Sequence, residues 1–526
     1  MKLENPNQAA LLTSCRKHDP LWAMKKIPAL LAAALTATSL SAKKPNILFI
    51  FSDDHAQHAI SAYGSKVNTT PNLDRIASEG ARFTNSFVTN SICTPSRATL
   101  LTGQYSHLNG VPVFNRFDPE RDTVAKHMQA GGYHTGMIGK WHLGSDPQGF
   151  DRWIVLPGQG AYWNPTFLTA TQKMTIEGHC TDITGDLGVE FLKTRPKDKP
   201  FFLMLHQKAP HRAWEPDERN KALFKDKVIP EPDTLFDDYA TRPTALPENR
   251  QTIAKDLNRR DLKVAPPEGL EGKELIKWKY QRYMRDYLAC VQGVDDNVGK
   301  VLDYLDASGL DKNTIVIYSS DNGWFLGDLG LYDKRFMYEP GLNVPLLAKG
   351  PGIKKGITPD QFVSNLDLAP TFLDLAGLPI PSSMQGRSLV PLLKGETPED
   401  WRETFYYRYY HSPGHHNTVA HYGVRTKTHK LIYFWDRDAY ELFDLVKDPN
   451  EQQNLLFSPS DSGKPEVEKL FRDLKSEIVR LQKEFKDEGQ YASPSDWPKG
   501  SSDRPAARKA AGTVEIVKAI QLAPQK

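Results

Sequence analysis

Short apolar runs alternate along the chain with longer stretches in which apolar residues recur every three or four positions. The first run is Asn46–Phe51, and similar runs lie at 135–139, 201–205 and 314–318. Runs of this length predict buried strands, and their alternation with helical patterns predicts a mostly parallel sheet covered by helices. The longest helical pattern runs from Tyr280 to Leu305 and predicts one amphipathic helix. The predicted fold class is therefore α/β.

A second, smaller unit is predicted after a linker at Leu392–Pro398. Three apolar runs at 422–426, 430–434 and 440–444 are separated by turn residues and predict a meander, and a helix is predicted over 465–486. We expect a larger α/β domain at 43–395, a smaller α+β domain at 396–495 and a loosely ordered tail at 496–526. The proline-containing stretch from Arg212 to Pro267 predicts a long surface excursion that could help to wall a pocket.

The N-terminus has the pattern of a targeting segment. Lys25 and Lys26 precede the apolar run Ile27–Leu40, and small residues follow at a plausible cleavage point, so residues 1–42 are predicted to be a signal peptide. Met24 is a possible true start, and a retained N-terminal anchor is the alternative. Because the apolar run is short for a membrane span, we expect a periplasmic or secreted protein with no stable membrane span.

Composition excludes some classes of protein. A chain of 526 residues with a formal net charge of +3 gives no reason to expect a nucleic-acid partner. Four cysteines are too few for a disulfide scaffold. With Cys15 in the leader, Cys180 and Cys290 either pair with each other or stay buried as free thiols.

Polar side chains follow each of the four predicted strands. Ligands of open α/β sheets bind beyond the carboxyl ends of the strands, so these side chains are expected to share one edge. Carboxylate and amide oxygens favour a hard divalent cation, calcium or magnesium, over zinc. The alternative is a set of unrelated polar turns. The residues concerned are Asp53 and Asp54, Lys140 and His142, His206 and His211, and Asp321 and Asn322.

Cys93 begins the stretch Cys-Thr-Pro-Ser-Arg, which continues as Ala-Thr-Leu-Leu-Thr-Gly up to Gly103. Thr94 can cap a helix and Pro95 suits its first turn, so Cys93 is predicted just before a helix N-terminus, where anions are favoured. Arg97 is predicted one turn further on the same face. The alternative for Cys93 alone is a small buried residue.

This stretch resembles the signature of the type I sulfatases. The resemblance implies an alkaline-phosphatase-like fold and oxidation of Cys93 to Cα-formylglycine by a maturation enzyme. It further implies a calcium ion bound by Asp53, Asp54, Asp321, Asn322 and the modified residue 93. Arg97, Lys140, His142, His211 and Lys334 are the catalytic residues implied by the family motifs.

The mechanism implied by the resemblance begins with hydration of the aldehyde to a gem-diol. One hydroxyl, deprotonated with help from Asp321, attacks sulfur, and the leaving alcohol takes a proton from His211 or Lys334. His142 then deprotonates the second hydroxyl, so that sulfate is expelled and the aldehyde is regenerated.

Three further segments resemble bacterial N-acetylglucosamine-6-O-sulfatases, which act on host or algal glycans. They are 156–165, 281–287 and 332–339. The resemblance implies a sulfated carbohydrate substrate, with Asp333, Arg335 and His421 as sugar contacts. Alternatives are a sulfatase of another glycan position, an inactive glycan-binding relative, and a phosphatase of the same architecture, which would use Ser or Thr with two zinc ions.

Overall fold

The computed structural model describes residues 43–498 and 515–517, and the described residues from Lys44 onward form one compact unit. The predicted signal peptide and most of the predicted tail lie outside the described residues. In the described part of the chain, no helix combines the length and the apolar character needed to span a membrane.

The strands and helices follow in chain order. The strands are β1 Asn46–Ser52, β2 Ala81–Arg82, β3 Ser86–Phe87, β4 His134–Lys140, β5 Arg152–Leu156, β6 Thr166–Leu168, β7 Lys173–Ile176, β8 Phe201–His206, β9 Thr314–Ser320, β10 Phe325–Leu326, β11 Tyr332–Asp333, β12 Leu346–Lys349, β13 Val363–Ser364, β14 Phe405–Tyr409, β15 His421–Arg425, β16 His429–Phe434, β17 Ala439–Asp444 and β18 Glu515–Val517. The helices are α1 Pro71–Ser78, α2 Cys93–Thr102, α3 Ser106–Asn109, α4 Val124–Ala130, α5 Cys180–Thr194, α6 Glu218–Phe224, α7 Arg259–Leu262, α8 Gly272–Ala307, α9 Glu339–Leu342, α10 Leu368–Leu375, α11 Val390–Leu393 and α12 Pro465–Phe485.

The largest sheet among the described residues is mixed, with the order β18-β7-β6-β5-β4-β8-β1-β9-β12-β2. Its centre, β5-β4-β8-β1-β9, is parallel. Phe51 of β1 pairs with His206 of β8 and with Ser319 of β9, so the carboxyl ends of these strands are level. The prediction that four strands end at one edge is confirmed.

Helices cover both faces of this sheet. Leu48 and Ile50 of β1 pack in the core beneath α1, α5 and α8. Ile47, Phe49 and Phe51 point the other way, into a core with residues of α2, α4 and α10. Since both faces are buried, the strand is a continuous apolar run rather than an alternating one. The predicted long helix is α8, and it ends before Gly309 as expected.

The smaller sheet is antiparallel, in the order β14-β15-β16-β17. One face shares a core with Phe87, Ile92 and Phe336, and the other is covered by α12. The predicted meander and helix are confirmed, whereas β14 was not predicted. Phe405–Tyr409 reads as an aromatic run whose pairing with β15 only the fold reveals.

The stretch from Arg212 to Pro267 is not simply a surface excursion. It contains α6 and α7, and Trp214, Leu246 and Ile253 are fully buried. Its prolines interrupt regular structure, but its apolar side chains still enter the core. Within the predicted tail, Glu515–Val517 pairs in parallel with β7.

Candidate active site

The carboxyl ends of β1, β4 and β9 bring the predicted metal-binding residues together. Asp53 and Asp54 follow β1, and Asp321 and Asn322 follow β9. Asp54 has a left-handed backbone, with a φ of 67°. This conformation is held by a hydrogen bond from its backbone N–H to Asp321 Oδ1 at 3.0 Å. Asn322 Nδ2 donates to Asp54 Oδ1 at 3.0 Å and closes the cluster.

Cys93 is itself the first residue of α2 rather than the residue before the helix, and Ile92 instead of Thr94 is the N-cap. Thr94 does not cap the helix, because its hydroxyl donates to the backbone carbonyl of His142 at 3.0 Å. The predicted helix start is therefore wrong by two residues, and the partner of Thr94 comes from the loop after β4. That contact ties α2 to the loop that carries His142.

Charged groups surround the Cys93 thiol. Sγ donates a hydrogen bond to Asp53 Oδ1 at 3.3 Å and accepts one from Lys334 Nζ at 3.1 Å. Two more nitrogen atoms lie near Sγ. Asn322 Nδ2 is 3.6 Å from it, and Lys140 Nζ is 3.9 Å from it. The two lysines also pair with carboxylates, Lys140 with Asp53 and Lys334 with Asp54. A group that replaces the thiol would thus face both cations and carboxylates.

Arg97 lies behind these groups and contacts Asp321 rather than Sγ. Its Nε and Nη2 each lie 2.9 Å from Asp321 Oδ2. Nη1 donates to the backbone carbonyl of Lys140 at 2.8 Å. The side chain is 2% exposed. Through its contacts with Asp321 and Lys140, Arg97 joins α2 to the ends of β9 and β4. Its planar fork suits this task.

Burial and these charges move the pKa values in opposite directions. Burial opposes ionisation of Asp53, but the positive charges of Lys140 and Arg97 hold the pKa of that carboxyl well below its usual range. Burial raises the pKa of Asp54 to about 7, with Lys334 opposing the shift. Burial, aided by Asp53, raises the pKa of the Cys93 thiol. An unmodified thiol here is therefore a poor nucleophile at neutral pH.

The chemistry of the donor set fits a hard cation. Asp54 Oδ2 and Asn322 Oδ1 are both buried and have no hydrogen-bond partner among the described residues. Potential ligand atoms of Asp53, Asp54, Cys93 and His211 all lie within 4.8 Å of one another. Buried oxygens without partners are costly unless a ligand satisfies them, and oxygen-rich sets are typical of calcium and magnesium.

A cavity of about 330 Å³ opens from Cys93 to the surface. Among the predicted site residues, those lining it are Asp54, Cys93, His142, His211, Asp333, Lys334 and Arg335. Asp53, Arg97, Lys140, Asp321 and Asn322 lie behind this lining. Asp333 and Arg335, whose side chains we call the rim, line the same cavity as Lys334, and Lys334 Nζ reaches Sγ.

His421 does not reach the cavity, which corrects the prediction that it contacts the sugar. It is fully buried among Phe336, Tyr407 and Phe434. Its Nδ1 donates to the carbonyl of Val419 at 2.8 Å, and its Nε2 accepts from the backbone N–H of Met337 at 3.1 Å. Burial lowers its pKa to about 4. His421 supports the segment after Lys334 rather than the substrate.

His416, which was not predicted, lines the cavity instead and contacts Asp333. Its Nε2 lies 2.8 Å from Asp333 Oδ2, and its Nδ1 pairs with Asp256. Arg335 Nη1 lies 2.6 Å from Asp333 Oδ1. The sequence shows a His-His pair after Pro413-Gly414, but nothing in it indicates that this turn meets Asp333.

Other lining residues were also missed. Gln159 Oε1 accepts from Lys140 Nζ at 2.6 Å, and Lys334 Nζ lies 5.3 Å from the centre of the Trp324 ring. Arg212 reaches the cavity from the predicted excursion, where Asp261 holds its guanidinium in bidentate fashion at 2.6 and 2.7 Å. The expectation that this stretch walls the pocket is confirmed.

The remaining cysteines are free thiols. Cys180 and Cys290 are both buried and unpaired within the described residues. Of the two predicted alternatives for Cys180 and Cys290, a disulfide or free buried thiols, the structure shows free thiols.

Known proteins resemble this chain in sequence and, for one solved structure described below, in fold. An N-acetylglucosamine-6-O-sulfatase of Bacteroides thetaiotaomicron is 42% identical, over 89% of this chain and 93% of that protein. An ulvan-active sulfatase of Formosa agariphila is 29% identical, over 87% and 86%. The solved structure of BT4656 in complex with its substrate D-glucosamine-2-N,6-O-disulfate matches with a TM-score of 0.82 and 42% identity, over 85% of this chain and 99% of that one. The alkaline-phosphatase-like α/β class is thereby confirmed.

Two family models match the chain. The model of the C-terminal part of N-sulphoglucosamine sulphohydrolase matches residues 327–484, which include the smaller sheet and α12. The sulfatase model matches residues 45–378, which carry the Cys93 stretch and all four strand ends. The chain therefore belongs to the sulfatase family and is a sulfuric ester hydrolase.

Proposed function

We propose that this sulfatase removes the 6-O-sulfate of N-acetylglucosamine from a host or algal glycan, with formylglycine at position 93 and a bound calcium ion. The relative that is 42% identical is an N-acetylglucosamine-6-O-sulfatase, and the matching solved structure holds a 6-O-sulfated glucosamine. The observation that carries the proposal is the consecutive placement of Asp333, Lys334 and Arg335. Lys334 Nζ reaches Cys93 Sγ, and Asp333 and Arg335 line the same cavity.

Asp53, Asp54, Asp321 and Asn322 are the residues that would hold calcium. When bound, calcium supplies positive charge beside the reacting oxygens, and a formylglycine at position 93 supplies the hydroxyl nucleophile of its hydrate. Among these four, Asp321 is fixed by Arg97, and Asp53 is the carboxylate that accepts a hydrogen bond from the position-93 side chain. The phosphatase alternative is not favoured, because the chain belongs to the sulfatase family.

Lys334 and His211 are the candidates for protonating the leaving alcohol. Burial opposes the charge of Lys334, but Asp54 raises its pKa well above the usual value. Burial and Lys140 lower the pKa of His211 well below its usual value. Lys334 is thus the side chain that holds a proton at neutral pH, and it becomes our preferred donor.

His142 is the candidate base. It lines the cavity next to α2, and its Nδ1 lies 3.5 Å from the Thr94 hydroxyl. Burial and Lys140 lower its pKa well below the usual value, so the ring is neutral and can accept a proton.

The residue-93 peptide is the first test. Protein co-expressed with a formylglycine-generating enzyme, the proposed maturation partner, should show by mass spectrometry an aldehyde in place of the CH2SH group. An intact thiol in protein from the native host would contradict the mechanism and favour a glycan-binding role.

Protein from the native host also tests localisation. We propose export to the periplasm or the medium, so the mature protein should lack the residues before about position 43.

A panel of N-acetylglucosamine and related sugars sulfated at position 2, 3, 4 or 6 then tests specificity. We expect the wild-type enzyme to release sulfate from 6-sulfated N-acetylglucosamine. The Cys93→Ala variant should release none from the same sugar. Cys180→Ala is the matched control, since that buried thiol lies in α5 away from the cavity and should leave turnover intact. Preference for another sulfate position would retain the sulfatase chemistry and replace the proposed substrate.

A further inference from the structure

A second depression adjoins the cavity that contains Cys93. It has a volume of about 570 Å³ and is lined by Arg250, Asp256 and residues 413–417. His415 and His416 line both spaces, so the turn 413–417 forms their shared wall. Sites of this volume are large enough for a further sugar unit.

The shared wall is fixed by backbone and side-chain hydrogen bonds. The N–H of Arg250 donates to the carbonyl of His416 at 2.7 Å, and the N–H of Gly414 donates to that of Thr418 at 2.8 Å. Asn417 Nδ2 donates to the carbonyl of Glu248 at 3.1 Å. These bonds hold His416 and Asn417 in left-handed backbone conformations, each with a φ of 59°. The turn is therefore organised before a ligand arrives.

Arg250 presents a guanidinium to this depression. Its side chain is 64% exposed, and its ion pair with Asp256 is long, with Nη2 3.7 Å from Oδ1. Asp256 is engaged on its other oxygen by His416 Nδ1. Exposed pairs of this kind contribute little, and among the described residues the Arg250 guanidinium has no shorter ion pair, so its donors can turn to an anion. Guanidinium groups bind carboxylates and sulfates in bidentate fashion.

We propose that this depression is a second sugar subsite, which binds the unit directly linked to the sulfated sugar and selects for an anionic group on it through Arg250. The inference rests on the proposed function and extends it from a single sugar to an acidic oligosaccharide. The anionic group is a carboxylate or a sulfate, both of which match the guanidinium.

Three disaccharides test the subsite. Each carries 6-O-sulfated N-acetylglucosamine, linked identically to a uronic acid, to a sulfated galactose or to neutral galactose. The readout is the ratio of kcat/KM for each acidic disaccharide to that for the neutral one, measured with the mature wild-type enzyme. We expect a ratio of roughly ten for at least one acidic neighbour, as for one good charge-assisted contact. Which of the two acids is preferred identifies the group.

Variants separate recognition from general damage. Arg250→Ala should bring the ratio close to one, and Arg250→Glu should invert it, which a merely structural defect would not do. Arg219→Ala is the matched control, since Arg219 is also 64% exposed and pairs with Asp182 and Asp217 on another part of the surface. Its ratio should equal that of the wild type.

Two results overturn the inference. A wild-type ratio near one for both acidic disaccharides, or a ratio that Arg250→Glu leaves unchanged, excludes the subsite while 6-sulfate hydrolysis stands. Absence of hydrolysis of the 6-sulfated monosaccharide and of all three disaccharides overturns the proposed function together with the subsite.

Discussion

Asp333 and Arg335 both have a left-handed backbone, with φ angles of 75° and 93°. Such conformations cost free energy in residues with side chains and persist where the surroundings enforce them. Here they turn the rim side chains toward each other while Lys334 between them points to Cys93. Burial opposes the charge of Asp333, but Arg335 and His416 hold the pKa of this carboxyl well below its usual range. The rim therefore presents a permanent carboxylate at neutral pH.

Asp333→Ala should lower kcat/KM on 6-sulfated N-acetylglucosamine roughly 10- to 100-fold, because the sugar loses a charged acceptor and Arg335 loses its partner. An aryl sulfate, which has no sugar hydroxyls, should be affected far less. Steady-state kinetics on both substrates makes the comparison. Equal losses would indicate displacement of Lys334, and unchanged turnover of the sugar would remove Asp333 from the binding site.

Removal of divalent cations should abolish activity and lower the melting temperature. Without a cation, Asp54 Oδ2 and Asn322 Oδ1 stay buried without partners, and a ligand that binds only the folded state stabilises it by mass action. Activity and melting temperature after EDTA treatment, then after addition of calcium or magnesium, are the measurements. Full activity in EDTA-treated protein with no bound metal would contradict the predicted site. Asn322→Ala should weaken the response to calcium.

Each secondary-structure element near the site does a defined task. β1, β4 and β9 end level with one another, and α2 places Cys93 at its first turn and Arg97 one turn later. The smaller sheet is held on one face by contacts with the catalytic part and on the other by α12. Since the segment between β14 and β15 contains His415 and His416, α12 indirectly supports the cavity wall.

Ile478→Ala in α12 should destabilise the protein by about 2–4 kcal/mol, because a side chain that is 4% exposed leaves a cavity against the smaller sheet. The neighbouring Val479→Ala is the control, since Val479 is 65% exposed and should change stability by less than about 0.5 kcal/mol. Denaturant unfolding followed by circular dichroism measures both. Equal effects would show that α12 does not pack on the sheet through this face.

At the scale of the whole molecule, buried charged groups join the smaller sheet to the catalytic part. Tyr338, which follows the Asp333–Arg335 rim, donates its hydroxyl to Glu441 Oε2 of β17 at 2.6 Å. Lys430 of β16 pairs with Glu339 at 2.8 Å and with Glu451 at 2.6 Å. Burial raises the pKa of Glu441 to about 7, with the Tyr338 hydrogen bond opposing the shift.

This raised pKa predicts a pH dependence of stability. The folded state binds the Glu441 proton more tightly than the unfolded state, so its contribution is complete below about pH 4.5 and is lost as the pH rises through about 7. Glu441→Gln should therefore flatten the decline in unfolding free energy between pH 5 and pH 8. Denaturant titrations across that range provide the measurement, with exposed Glu403→Gln as control. An unchanged slope in Glu441→Gln would contradict the assignment.

The sequence by itself determined the fold class, the four strand ends with the polar residues that follow them, and the long helix. These follow from local information: apolar runs fix strands, and the residues directly after a strand are carried to its carboxyl end. Cys93 and Arg97 share a helix face because they are four residues apart.

Only the tertiary structure decided which distant segments meet. His416 lies in the turn before β15, and its left-handed backbone directs the side chain to the cavity, where it contacts Asp333. His421 is the first residue of β15, and strand pairing buries it. Arg212 and Gln159 join the site from loops whose paths depend on long-range packing. Such contacts depend on the packing of many residues far apart in sequence, and no local pattern records them.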